Sequence, residues 1–212
     1  MNVFELIDAG AEDALRDGLD GNPGLAAARS ADGISAVLYA LYNGKADLVE
    51  PLLEANPPLD VFDSAAVGRT RGLEELLEAE PSLATSWSAD GFTALHLAAF
   101  FGEEEAAKML LESGAEVNLV ARHATIHVTP LHSAAAGGHS GIVKLLLEHG
   151  ADANAAQDGG FTPLHSAAQN DDRESVEALL EAGADPSLAN DEGKTPADLA
   201  GDATRDLVAV SN

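Results

Sequence analysis

The chain has 212 residues, of which 46% are hydrophobic, enough to bury a continuous core, and it has no cysteine, which excludes disulfides, thiolate metal sites and cysteine nucleophiles together. Eleven Lys plus Arg against thirty-six Asp plus Glu leave a net charge of -25 spread along the whole length, a field that repels phosphate backbones and anionic lipid and so argues against nucleic-acid and membrane-surface roles. No apolar stretch approaches the ~20 residues of a membrane span, and Met1-Asn-Val-Phe-Glu5 shows no basic segment followed by an apolar run, so a cytoplasmic protein is expected.

In chain order, the first pattern is a long internal echo. Val3-Phe4 to Gly33 aligns without gaps to Val61-Phe62 to Gly91 at an offset of 58, pairing Leu15 with Leu73, Pro23 with Pro81 and Ser30-Ala-Asp-Gly33 with Ser88-Ala-Asp-Gly91. Asn2 and Asp60 stand at the heads of these segments as good helix N-caps. Further on, Thr93-Ala-Leu-His96, Thr129-Pro-Leu-His132, Thr162-Pro-Leu-His165 and the weaker Thr195-Pro-Ala-Asp198 mark a period of 33, with an interval of 36 between Thr93 and Thr129. That interval implies a three-residue insertion between Asn118 and Val128. A second block, Leu110-Leu-Glu-Ser-Gly-Ala115, recurs as Leu146-Leu-Glu-His-Gly-Ala151 and Leu179-Leu-Glu-Ala-Gly-Ala184. The chain divides into units of roughly 1–30, 31–60, 61–89, 90–122, 123–157, 158–190 and 191–212, read as one domain without a linker.

Each unit reads as a helix pair. Thr before Pro before an apolar run starts a helix, because the hydroxyl accepts a first-turn N–H and Pro occupies a position whose N–H has no partner in any case. The first helix is short and rich in alanine, so neighbouring backbones can approach closely, and a polar turn around Gly138 or Asn170 ends it. The second, as in Gly141-Ile-Val-Lys-Leu-Leu-Leu-Glu-His-Gly150, puts Ile142, Leu145 and Leu146 along one side and stops at a glycine suited to a left-handed conformation. Ala151-Asp-Ala-Asn154 to Asp158-Gly-Gly160 carries turn chemistry and predicts a projecting loop. No single pair can bury its apolar face, so stability must come from stacking, with Asp206-Leu-Val-Ala-Val-Ser-Asn212 ending a C-terminal cap.

The sequence resembles the ankyrin repeat family through Asp90-Gly-Phe-Thr-Ala-Leu-His-Leu-Ala-Ala99, Thr129-Pro-Leu-His-Ser-Ala-Ala135 and Gly159-Gly-Phe-Thr-Pro-Leu-His-Ser-Ala-Ala168, each followed by Leu-Leu-x-x-Gly-Ala. The resemblance implies an all-α solenoid of six to seven stacked helix-turn-helix units including caps, with β-turn or hairpin loops projecting at right angles and a protein partner on the concave side. It places Ile34, Tyr42 and Asn43, then Trp87, Phe92, Phe100 and Phe101, then Val128, Ala136 and Gly137, then Phe161, Gln169 and Asn170, toward that concavity. Six of the nine aromatics thus fall on positions expected to face solvent, and clustered exposed aromatics are the usual anchors of binding hot spots. The binding residues expected are Tyr42, Trp87, Phe92, Phe100, Phe101, Phe161, Gln169 and Asn170; the alternative is that Phe92 and Phe161 pack on adjacent loops and Phe100 and Phe101 fill a groove left by small alanines.

The net charge favours a basic partner, the alternative being that it serves solubility alone, and the partner expected is a protein with a basic or apolar segment. A monomer without cofactor or metal is expected. His96, His132 and His165 belong to the signature, where the resemblance gives the imidazole a structural role between repeats. His123 and His127, four apart in the insertion, carry the alternative, a metal-binding, ligand-binding or enzyme-like role at 122–128, with Asp90 as a third group. His132-Ser133 and His165-Ser166 are adjacent on helices and point about 100° apart, so neither forms a catalytic dyad. Gly137-Gly-His-Ser-Gly141 lacks the Gly-Lys-Ser/Thr ending of a phosphate loop. No catalytic site is expected.

Overall fold

The computed structural model describes residues 2–209, so Met1 and the end of the expected cap, Val210-Ser-Asn212, lie outside the described residues. Its internal contacts cluster into two compact units, Met1–Asp63 and Ser64–Asn212.

The first unit holds α1 (Val3–Ala9), α2 (Glu12–Gly21), α3 (Ala36–Tyr42) and α4 (Val49–Glu54), and the division falls within α5 (Val61–Ala66). Its first helices begin on side-chain caps, as orphaned N–H groups require. Asn2 accepts from the Phe4 N–H at 3.3 Å while Glu5 accepts from the Asn2 N–H at 3.2 Å, a reciprocal box. Ser35 accepts from the Leu38 N–H at 3.0 Å and donates its hydroxyl to Asp63. Asp60 accepts from the N–H groups of Phe62 and Asp63 at 2.9 and 2.8 Å. Asp63 is buried, and burial, followed by the nearby Asp60 charge, pushes its carboxyl up to about 6. A carboxyl raised in the folded state favours folding at acid pH and loses that contribution as pH rises through about 6.

The second unit contains α6 (Thr70–Ala79), α7 (Ala94–Phe101), α8 (Glu104–Glu112), α9 (Pro130–Gly137), α10 (Ser140–Glu148), α11 (Pro163–Gln169), α12 (Arg173–Glu181), α13 (Pro196–Leu199) and α14 (Arg205–Val208). The starts of α7, α9 and α11 share one device. The ring Nδ1 of His96 accepts from the Thr93 N–H at 3.3 Å and lies 2.7 Å from its hydroxyl; the corresponding N–H distances are 3.3 Å at Thr129 and 3.0 Å at Thr162. The opposite nitrogen, Nε2, donates to a carbonyl one repeat on: Val128 at 3.0 Å from His96, Phe161 at 3.2 Å from His132, and Lys194 at 3.1 Å from His165. In α13 the box is closed by Asp198, which accepts from the Thr195 N–H at 2.8 Å.

The internal echo is visible in backbone detail. Short 3-10 turns follow at Pro23–Ala27 and at Pro81–Thr85, and each is followed by a tight loop: the Ser30 N–H donates to the Ile34 carbonyl at 2.8 Å, as the Ser88 N–H does to that of Phe92. Gly33 and Gly91 occupy the left-handed region at φ 84° and 87°, which explains why both copies keep glycine there. Later loops close in the same way, Gln157 onto Phe161 at 2.9 Å and Asn190 onto Lys194 at 2.8 Å, four residues apart, whereas Ala121 closes onto Val128 at 2.8 Å, seven apart. The extra three residues of the 36-residue interval therefore sit inside this one loop. The loops carry turns rather than paired strands; the described residues contain a single isolated bridge, Arg29 to Ser35.

The core of the second unit is a row of leucines, with Leu95, Leu131 and Leu164 from the first helices and Leu110, Leu146 and Leu179 from the second, all fully buried. Burying each contributes roughly 1.5–3 kcal/mol. One expectation is corrected: Val143 rather than Leu145 completes the buried side of α10 with Ile142 and Leu146, and Leu145 is only half-buried. Residues 142, 143 and 146 turn inward because α10 meets both its own α9 and the neighbouring α12, which widens the buried stripe on one flank. Between loops, Asn118 donates to the Gly150 carbonyl at 3.0 Å and accepts from the Asp152 N–H at 2.9 Å, and Asn154 repeats this with Gly183 and Asp185 at 3.0 and 2.7 Å.

Burial holds His96 at about 4, well below the usual imidazole value, and its two hydrogen bonds need the neutral ring. Neutral His96 therefore supports the fold fully above the unfolded value near 6.5, and that support drains away as pH falls toward about 4. In denaturant titrations His96→Asn is expected to destabilise by about 1–3 kcal/mol at neutral pH. The gap to wild type should narrow by about 2 kcal/mol on lowering the pH to about 5; a gap independent of pH would contradict the neutral-ring assignment.

Candidate functional site

The loops of the second unit bring several of the expected residues together. Trp87 leads into the turn Ser88–Phe92, and the insertion 122–127 folds back onto it: the Arg122 N–H donates to the Gly91 carbonyl at 2.7 Å. This contact carries the Arg122 guanidinium over the Trp87 ring, 4.2 Å from its centroid. It also lays His123 on Phe92, with centroids 5.4 Å apart and planes 28° from parallel. A Cβ at Gly91 would collide with the backbone of Arg122 and His123, so the glycine there permits the close approach as well as the turn. A cation over an indole is worth ~0.5–1 kcal/mol at a site this open. Behind these rings lies the buried His96, with centroids 6.5 Å from Trp87 and 6.0 Å from Phe92.

Phe100 and Phe101 end α7 and meet edge-on with centroids 5.2 Å apart. Phe100 is 46% exposed, Phe101 half-buried. Phe161 is half-buried against His165 of the following helix, with centroids 5.4 Å apart, and Phe92 is likewise half-buried. Gln169 and Asn170 are exposed at the end of α11, but the Asn170 amide is occupied, donating to the carbonyls of Ala135 and Ala136 at 2.9 and 3.0 Å and so tying α11 to α9. In the first unit Tyr42 is 41% exposed at the end of α3. Of the six aromatics expected to face solvent, Phe100 and Tyr42 are exposed and the other four are half-buried. Arg122 and His123 are part of this surface although they were not among the expected binding residues; the signal was the insertion itself, which has to fold onto something.

The histidines of the insertion do not converge. His127 reaches forward to pair with Asp158, His123 accepts from the Thr125 N–H at 3.2 Å within its own loop, and Asp90 accepts from the Ser88 hydroxyl. Among the described residues no group of three or more His, Asp or Glu side chains is placed to hold a metal ion. His132 and His165 are pushed down from the usual value by burial, in line with their hydrogen bonds to Thr129 and Thr162. No helix among the described residues is long and apolar enough to cross a membrane.

Comparison with known proteins agrees with this architecture. A search of curated proteins gave no match. The family model for ankyrin repeats in three copies matches residues 5–121 and 118–190, nearly the whole chain. Members of that family generally serve as protein–protein interaction modules. With helix pairs, capping boxes and inter-repeat imidazoles all recurring over those residues, the chain belongs to the ankyrin repeat family.

Proposed function

We propose that this chain is a non-catalytic adaptor, scaffold or inhibitor that captures another protein on the surface built in its second unit from Trp87, Phe92, Phe100, Phe101 and Phe161. Gln169 and Asn170 hold the matching positions at the end of α11, and Tyr42 the matching position in the first unit. The observation that carries the reading is Phe100, a large apolar ring left 46% exposed with Phe101 edge-on beside it. Exposed aromatic rings of this kind are favoured anchors because they bring large contact area at small entropy loss. Arg122 adds a second element: it holds the Trp87 indole in one orientation before any partner arrives, which lowers the entropy lost on binding. The net charge of -25 favours a basic partner segment and the exposed Phe100 ring an apolar one, bound by a monomer in the cytoplasm.

Phe100→Ala is expected to change unfolding free energy by no more than about 0.5 kcal/mol. In affinity capture it should weaken retention of the partner by about tenfold or more; a stability loss of about 2 kcal/mol would instead assign the ring to packing. A second measurement addresses preorganisation and benefits from there being one Trp in the chain. Arg122→Ala should raise acrylamide quenching of Trp87 emission while leaving helical content unchanged; unaltered quenching would remove Arg122 from the surface.

A further inference from the structure

The second-helix side of the second unit carries a feature that the aromatic surface does not use. Between α6 and α8 lies a groove of about 380 Å³ whose floor is Leu77, Pro81 and Met109 and whose rim is Glu74, Glu78 and Glu112. Glu74, Leu77 and Glu78 follow one another at helical spacing on α6, as Met109 and Glu112 do on α8, so each helix presents an apolar and an acidic residue to the same gap. All three carboxylates are exposed, Leu77 is buried and Met109 half-buried.

Three other gaps between successive second helices are bridged by a cation. Arg16 of α2 reaches Glu54 of α4 at 2.6 Å, Lys144 of α10 reaches Glu174 of α12 at 3.0 Å, and Arg173 of α12 reaches Asp206 of α14 at 3.4 Å. At the α6–α8 gap both sides are carboxylate, and the cation on α6, Arg71, pairs along its own helix with Glu75 at 3.1 Å. None of Glu74, Glu78 and Glu112 has an ion-pair partner among the described residues.

We infer that this groove is a second docking site, for a positively charged protein segment that presents an arginine beside an apolar side chain. A volume near the lower end of the ~300–1,000 Å³ of ligand pockets admits one or two side chains rather than a cofactor. The aliphatic stem of an arginine packs on Leu77 and Met109 while its planar head meets carboxylates on either rim, supplying a cation of the kind that the α2–α4, α10–α12 and α12–α14 gaps obtain from within the chain. An anionic partner is repelled by the same rim, and a bare cation leaves the apolar floor unused. The observations are independent of the aromatic surface, so either site can fail without the other.

The test titrates the full chain with a fluorescein-labelled peptide of alternating Arg and Leu, followed by anisotropy and by amide chemical shifts. Wild type should bind saturably, with shifts concentrated in α6 and α8, and Glu74→Gln/Glu78→Gln/Glu112→Gln should weaken binding by about tenfold or more. Glu148→Gln/Glu181→Gln/Asp202→Asn removes as much charge from other exposed sites and should leave binding within about twofold, since distant exposed charges are largely screened. Equal loss in both variants, shifts centred outside the groove, or equally tight binding of a peptide with Ser in place of Leu would overturn the assignment.

Discussion

One carbonyl per repeat carries the joint on which the second unit depends. The carbonyls of Val128, Phe161 and Lys194 each close their own loop by accepting from Ala121, Gln157 and Asn190, and each also accepts from the imidazole of the preceding repeat. That imidazole is already held at Nδ1 by the threonine that caps its helix. Helix start, neighbouring loop and repeat spacing are therefore fixed by a single neutral ring. The joint contains no formal charge, which matters in a chain whose net charge of -25 opposes any compact state. Exposed ion pairs contribute little and weaken with salt, whereas buried neutral hydrogen bonds and leucine burial are not weakened by charge screening.

Much of this was legible in the sequence, for a physical reason: stacked repeats demand the same side chain at the same place. The 33-residue period located α9, α11 and α13, and the 36-residue interval located the insertion to within a single loop. Capping chemistry also placed the helix starts at Asn2 and Asp60, where the Thr-x-x-His signature is missing. The direction in which the insertion folds was not legible, because spacing says how many residues a loop has and nothing about which neighbour it covers. Arg122 over Trp87 and His123 on Phe92 follow from the backbone bond between Arg122 and Gly91, which no periodicity encodes. The tie between Asn170 and the carbonyls of α9 escaped for the same reason.

The first unit shows what replaces the imidazole. Glu5 closes one capping box, and Ser35 donates to Asp63 where a neutral ring would otherwise serve. A carboxylate can accept several N–H and O–H bonds at once, so it caps well, but buried it must be held at a raised pKa. Arg29, 2.8 Å from Asp60 and 3.8 Å from Asp63, offsets part of that burial. The two units thus respond to acid in opposite senses: protonation relieves Asp63 and opposes His96.

The distribution of charge within the second unit follows from composition once the pairs are placed. With thirty-six acidic against eleven basic side chains, most carboxylates have no cation available inside the chain. Lys144, Arg173 and Arg71 are engaged along the second-helix row, and Arg122 is committed to the Trp87 ring. Unpaired carboxylates surrounded by water are nearly indifferent to their neighbours, but those beside an apolar floor act through a lower local dielectric and attract a cation more strongly. Glu74, Glu78 and Glu112 stand in that second situation around Leu77 and Met109, while the exposed aromatic character gathers at the end of α7 and on the loops. The same acidic composition therefore leaves one unit with two surfaces of different chemistry, aromatic rings on one set of elements and carboxylates beside apolar side chains on another.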